Sequence, residues 1–366
     1  MPGQTGGRET HVRELVRSLA AARPDIELVS FVNRETAAHD GFWREAGRVV
    51  RLPLSPHSRP AWALAELAGV PAAAARARVD VLHGPANFGP VAGPFARVLT
   101  LHDVLFRSHP ELLGRAMRLG TEALVVPAAR RAHAVITVSR ASRDEIVRLL
   151  GIAGERVEVV PNGWTPPRGG GDAATARHRL AAGQRPIALS VASDLPHKNL
   201  AVLLEALVLV EPAERPLLAL AGHGTDAGAL PERARSLGVE GDVRLLGAVG
   251  VDELEDLYAA AGVVVTASVM EGFGLPVLEA LGRGLPVVCS DLPVLHEVAG
   301  DAALWVDPLA PASVAGALRR ALAGGPELER LREAGRRRAE QFSWSAAAER
   351  TAAVYDRAVA RRRGLS

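Results

Sequence analysis

A chain of 366 residues exceeds what one hydrophobic core normally supports, so two domains are the expectation. Apolar residues make up 48% and charged ones 23%, as in an ordinary globular enzyme, and no apolar run reaches the roughly 20 residues that span a bilayer. The net charge is only +2, and no Lys/Arg cluster alternates with aromatics, which argues against nucleic acid as a partner. Cys289 stands alone, which excludes an intrachain disulfide and a cysteine zinc site and fits a reducing cytoplasm; no signal peptide is expected at the start.

Short β-branched runs bounded by Gly, Pro or Asp alternate with longer Ala/Leu/Arg stretches. Gly6-Gly7 stands directly ahead of a helix predicted over Thr10–Ala21, where Val12, Leu15, Val16 and Leu19 have amphipathic spacing. A glycine pair of this kind should follow a strand. In a doubly wound sheet that first strand is central, and its neighbours would otherwise keep unpaired backbone groups. About 15 further residues, one strand and a turn, are therefore expected upstream. Strands are then predicted at Glu27–Asn33, Val49–Leu52, Val79–His83, Arg97–Leu101, Ala134–Val138 and Val157–Val160. Pro161–Asp172 is turn chemistry throughout and reads as a linker. Beyond it, strands are predicted at Ile187–Val191, Leu217–Ala221, Val243–Leu246, Val263–Thr266, Pro286–Ser290 and Ala303–Val306. A helix after Asp252 places Leu254, Leu257 and Tyr258 together, and Ser343 can cap a final helix from about Ser345 to Arg361. This alternation predicts βαβ units and parallel sheets. The expected organisation is an α/β domain over 1–162, a second over 163–344, and a terminal helix in 345–366 packing back towards the first.

The residues that can carry chemistry concentrate between 187 and 308. Lys198 is the only lysine, arginine supplying the other 42 of 43 basic residues. A lysine that survives such a bias suits a place needing a compact ammonium rather than a planar guanidinium. It lies in Ser193-Asp194-Leu195-Pro196-His197-Lys198-Asn199, between an apolar strand and a helix opening at Leu200, where backbone amides and the helix dipole favour an anion such as a diphosphate. Ala221-Gly222-His223-Gly224 follows another strand, and its glycines permit a tight turn or close approach of a ligand. The sharpest signal is Glu271-Gly272-Phe273-Gly274-Leu275-Pro276-Val277-Leu278-Glu279, two carboxylates separated by seven residues. Gly272 and Gly274 bare backbone amides, Pro276 suits a first helical position, and Glu279 falls in the first turns of the helix. Glu271 can accept hydrogen bonds from sugar hydroxyls while the amides face phosphate oxygens, and Glu279 can reach a ribose.

From about Pro186 to Asp307 the sequence resembles the donor domain of glycosyltransferase family 4, retaining enzymes of the GT-B fold. The resemblance rests on the Glu-x7-Glu loop, on Pro196-His197-Lys198-Asn199, on Gly284-Leu285-Pro286-Val287-Val288 running into Ser290-Asp291, and on His296-Glu297-Val298 and Gly300-Asp301-Ala302-Ala303. Weaker marks in the first half are Gly6-Gly7-Arg8-Glu9, Thr100-Leu101-His102-Asp103, Val138-Ser139 and Val160-Pro161-Asn162-Gly163, so the likeness covers nearly the whole chain.

The resemblance implies two Rossmann-like domains facing across a cleft, the first strand of the N-terminal one missing from the chain. It implies that Lys198 neutralises a donor diphosphate, and that Glu271, beside the backbone of Gly272, Phe273 and Gly274, holds the hydroxyls of the transferred sugar. Glu279 would bind the nucleotide ribose, Leu275 would lie near the phosphates, and the turn Leu246–Val249 would flank the base. His102 and Gly7 would line the cleft near the reacting sugar. Many relatives carry an arginine where this chain has Ser193, so the phosphate charge falls on Lys198 and helix N-termini.

No Asp-x-Asp follows a strand, so no cofactor and no metal are expected, and cation duty rests on the protein. With no obvious carboxylate nucleophile, the resemblance implies retention by front-face attack, the leaving phosphate taking the acceptor's proton. The implied reaction moves a hexose or deoxyhexose, mannose-type favoured, from a nucleoside-diphosphate sugar to a glycan, lipid-linked or small secondary-metabolite acceptor. Many relatives work at the inner membrane face, and Arg115, Arg118, Arg130 and Arg131 around an Ala/Leu-rich stretch offer a peripheral membrane contact or simply a solvated helix face. Two other readings compete. A dinucleotide-dependent oxidoreductase needs a Gly-x-Gly-x-x-Gly turn after its first strand, for which there is no convincing match. A non-catalytic sugar-nucleotide-binding protein on the same fold would suit Ser193.

Overall fold

The computed structural model describes residues 6–39, 41–52, 65–167 and 169–364. They separate into two compact units, Arg8–Gly163 with Ser343–Ser366, and Trp164–Phe342, with which Gly7 also groups. The strand expected ahead of the first helix lies outside the described residues.

In the first unit β1 (Val29–Asn33) pairs in parallel with β2 (Arg48–Leu52). A separate parallel sheet runs in the order β3 (Val81–Gly84), β4 (Ala96–Thr100), β5 (Ala134–Thr137), β6 (Val157–Val159). Two strand starts fall later than predicted for a definite reason. The amide of Val79 turns back to the carbonyl of Ala74 and closes the helix Val70–Ala77, so it cannot join a ladder. Glu27 precedes the first ladder contact, in which Leu28 accepts from the amide of Arg48. Leu99, Leu101 and Val135 pack with Phe106, Val125, Ile146 and Leu150 from the covering helices. The final helix, Trp344–Arg362, is capped by the Ser343 hydroxyl. Its Ala348 and Ala352 bury against Leu15 and Leu19 of the first helix, Gly7–Ala22. Two short helices, Arg34–His39 and Phe42–Ala46, carry no apolar periodicity that would have announced them.

The second unit is a six-stranded parallel sheet in the order β12 (Leu304–Val306), β11 (Val287–Ser290), β10 (Val263–Thr266), β7 (Ile187–Val191), β8 (Leu217–Ala221), β9 (Val243–Gly247). All residues of β8, β10 and β11 are buried, as continuous apolar runs require when helices cover both faces. The helix Leu200–Val208 is apolar nearly all round and buries Leu200, Val202, Leu203, Leu204, Ala206 and Leu207 against the sheet. Strand order reverses between β7 and β10. In an open parallel sheet the loops leaving the C-terminal ends of such a pair diverge, and the crevice between them is where ligands bind. Among the described residues no helix is long and apolar enough to cross a membrane.

Candidate functional site

The loops leaving β7 and β10 carry the residues singled out in the sequence. After β7, Pro196–Lys198 forms one 3-10 turn, and Asn199, at φ 50°, bends the chain into the helix Leu200–Val208. The Asn199 side-chain Nδ2 donates to the carbonyl of Pro308 at 2.7 Å and anchors that bend. The His197 carbonyl accepts from the amide of Val269 at 2.8 Å, stitching this turn to the loop beyond β10. That stitch brings Lys198 onto Glu271: Nζ donates to Oε1 at 2.7 Å, and the Ser268 hydroxyl donates to the same oxygen at 2.7 Å. Side-chain exposures of 21% for Lys198 and 10% for Glu271 make this a partly desolvated pair, weakly screened by salt. Both local bonds converge on Oε1, and Oε2 has no partner among the described residues.

Glu271 is followed by a glycine-rich turn into the helix Leu275–Gly282. Gly274 has φ 99°, and a Cβ there would meet Leu295 Cδ2 at 2.6 Å, so no other residue fits without strain. Phe273 packs its ring against Phe342, centroids 5.8 Å apart, and both it and Leu275 are buried. Pro276 takes the second helical position. Glu279, one turn further, is partly buried and accepts from the Tyr258 hydroxyl at 2.7 Å. Burial raises its carboxyl above the ordinary range, although the Tyr258 bond and Arg283 oppose that rise. No hydrogen bond links Glu279 to the Lys198–Glu271 pair.

Ser193 and Gly222 meet behind these loops. A Cβ on Gly222 would sit 2.1 Å from the carbonyl oxygen of Ala192 and 2.8 Å from the amide of Ser193, so glycine is needed for the two strand-end backbones to touch. The buried hydroxyl of Thr225 donates to the carbonyls of Leu220 and Gly222 and accepts from the amide of Gly247 at 3.0 Å. The Leu246–Val249 turn is thereby fastened to the β8 loop. Neither Thr225 nor Ser268 carries a sequence signal beyond a hydroxyl near a strand end.

In the first unit, His102 stands just beyond β4 and is 8% exposed. Its amide donates to the side chain of Asn87 at 2.8 Å, its Nε2 lies 3.1 Å from the carbonyl of Pro85, and its own carbonyl accepts from the Ser142 hydroxyl at 3.2 Å. A carbonyl partner requires Nε2 to carry the proton, which leaves Nδ1 with its lone pair. Burial, with His11 and Arg8 nearby, lowers the imidazole to about 3, so the ring is neutral. His11, missed from the sequence, is perpendicular to His102 with centroids 4.7 Å apart, and its Nδ1 bonds Asn162 at 2.7 Å. Gly7, the first residue of its helix, is exposed.

Residues 173–338 match the glycosyl transferases of group 1, and residues 5–166 match glycosyltransferase family 4. The chain is 29% identical to an O-antigen chain mannosyltransferase B of Escherichia coli, covering 93% of each chain. It is 30% identical to a D-inositol 3-phosphate glycosyltransferase of Xylanimonas cellulosilytica, covering 98% of this chain and 94% of that one. The chain belongs to glycosyltransferase family 4. A sucrose-phosphate synthase from Thermosynechococcus elongatus shares the fold, with a TM-score of 0.77 at 23% identity over 98% of this chain and 94% of that one.

The protein is therefore a glycosyltransferase of the GT-B fold that uses a nucleotide sugar. Lys198, Glu271 and Glu279 stand out in the sequence, whereas Ser268, which bonds Glu271, does not. Tyr258 read as a helix-face apolar residue because its partner lies 21 residues away.

Proposed function

We propose that this glycosyltransferase moves a hexose or deoxyhexose, mannose-type favoured, with retention and without a metal, to a glycan, lipid-linked or small secondary-metabolite acceptor. The observation that carries the reading is the single ammonium of the chain resting on the Glu271 carboxylate where strand order reverses. A diphosphate entering that crevice competes for Lys198. Glu271 then turns to the sugar hydroxyls, its Ser268 bond keeping it in place. The backbone of Gly272, Phe273 and Gly274 lies beside the sugar, Leu275 near the phosphates, and Glu279 on the ribose. Ser193 brings no charge, so Lys198 and the helix N-termini balance the phosphates.

In the transfer step the bond between the anomeric carbon and the acceptor oxygen forms on the face from which the phosphate oxygen departs. The acceptor proton passes to that leaving oxygen. A neutral His102, held by Asn87 and Pro85, orients the acceptor-side groups rather than serving as an acid, and Gly7 adds backbone alone. The mannosyl preference rests on the likeness to the E. coli mannosyltransferase and on the Pro196–Asn199 turn. A cytoplasmic place of work, peripheral to a membrane, is supported by exposed Met117 and Leu119 beside Arg115 and Arg118 on the helix Arg115–Arg131.

A panel of nucleotide sugars read by thermal shift, followed by radiolabelled donor hydrolysis, tests the reading. A GDP-linked mannose-type sugar should raise the melting point most and be hydrolysed, and Glu271→Ala should abolish hydrolysis. Hydrolysis that survives Glu271→Ala would refute it.

A further inference from the structure

The two oxygens of Glu279 are in different situations. Oε2 accepts from the Tyr258 hydroxyl at 2.7 Å, whereas Oε1 has no partner among the described residues. Tyr258 is the largest fully buried side chain among the described residues, at 1% exposure, and a hydroxyl at such depth needs a partner. Its ring is fixed as well as buried. The Arg283 guanidinium lies 4.4 Å from the ring centroid, and the same guanidinium donates to the Glu279 carbonyl at 3.0 Å and pairs with Glu255 at 2.5 Å. Aromatic ring, guanidinium and helix thus lock one another, and the phenol hydroxyl is held against Glu279. The whole assembly ends on the carboxylate of a half-buried residue, one of whose oxygens is taken by the phenol.

We propose that Tyr258 is a positioning residue for donor recognition: by holding Oε2 it aims Oε1 of Glu279 at the ribose hydroxyls of the nucleotide. This rests on the reading of Glu279 as the ribose ligand. An ionised carboxylate only accepts, so its complement is a hydroxyl donor such as the diol of a ribonucleoside. The charged groups facing Glu279 are Arg283 and Glu255. Burial raises its carboxyl, and the Tyr258 bond and Arg283 work against that. Removing the hydroxyl therefore lets the carboxyl take up a proton at a higher pH, and the loss of affinity grows as the solution is acidified.

The test is calorimetric titration of GDP and UDP into wild type, Tyr258→Phe and Glu279→Gln. Whichever nucleotide the wild type binds more tightly is carried forward with its 2′-deoxy counterpart. Tyr258→Phe should bind about tenfold more weakly at pH 7.5, the scale of one hydrogen bond to a charged acceptor. Relative to wild type it should lose more at pH 5.5, and it should discriminate less against the deoxynucleotide. A merely structural role would weaken both nucleotides alike at both pH values, and that result overturns the proposal. If Glu279→Gln weakens binding while Tyr258→Phe does not, the Tyr258 role alone fails. If Glu279→Gln binds like wild type, or neither nucleotide binds wild type, the ribose reading fails and the inference with it. Should Tyr258→Phe not melt cooperatively, 3-fluorotyrosine can replace tyrosine in a Tyr355→Phe background, since the chain has two tyrosines. The more acidic phenol is a stronger donor and should tighten binding; unchanged affinity overturns the proposal.

Discussion

Lowering the pH from 8 to 5 should loosen the first unit by several kcal/mol, because two of its imidazoles are held neutral. His83 bonds the Tyr355 and Thr100 hydroxyls at 2.8 and 2.7 Å, and His102 is packed against Pro85 and Asn87. Burial, with His11 adjoining both, takes each ring from an ordinary 6.5 down to about 3. A histidine depressed in the fold contributes stability that is complete above 6.5 and is lost as the pH falls towards the folded value. By linkage each ring loses about 2 kcal/mol at pH 5 relative to pH 8. Screening at the partly exposed His83 brings the pair to about 3 kcal/mol, a sizeable share of a typical 5–15 kcal/mol. For a unit of this size that corresponds to roughly 6–12 °C in Tm. Scanning calorimetry of the full chain at pH 8, 6.5 and 5 should show that drop in wild type. The His83→Gln, His102→Asn double variant should show a smaller drop, the part that remains coming from His11 and His133, which burial also lowers. An equal acid shift in both proteins would refute the assignment of these rings as buried and neutral.

Glu271→Gln removes the carboxylate that occupies Lys198. Nucleoside diphosphate affinity should hold or rise, while turnover falls by roughly a hundredfold or more, the scale of losing one preorganised polar group at a reacting centre; paired calorimetry and steady-state kinetics separate the two. Gly222→Ala places a methyl group 2.1 Å from the Ala192 carbonyl, backbone that cannot yield cheaply. Urea unfolding should show a loss of about 1–3 kcal/mol, with donor binding weakened as the β7 and β8 loops part. Lys198→Arg keeps the charge but replaces a compact donor by a planar fork. Donor KM should rise about tenfold, and a KM equal to wild type would show that the site accepts any cation.

Much of the fold was legible because buried parallel strands write themselves as β-branched runs. Strands such as Leu217–Ala221 and Val263–Thr266 begin and end where the residues change character. What was not legible depends on contacts between distant segments. Val79 looked like strand until its amide was claimed by a helix end, and the stitch from Val269 to His197 cannot be read from either loop alone. The site divides in the same way. Lys198 stood out as the sole lysine and Glu271–Glu279 as a spaced pair of acids, but their bond spans 73 residues. His11 and Asn162, 151 residues apart, each looked like an ordinary polar residue near a helix or a turn. Chemistry carried by residue type was visible, and the residues that orient it were not.

Lys198 is proposed to grip a diphosphate beside Glu271. The direct measurement is calorimetric affinity for a nucleoside diphosphate and for its monophosphate, in wild type and in Lys198→Met. Wild type should prefer the diphosphate by about tenfold or more, the scale of one charge-assisted contact, and Lys198→Met should lose that preference while still binding the monophosphate. A preference that survives unchanged in Lys198→Met would contradict the account.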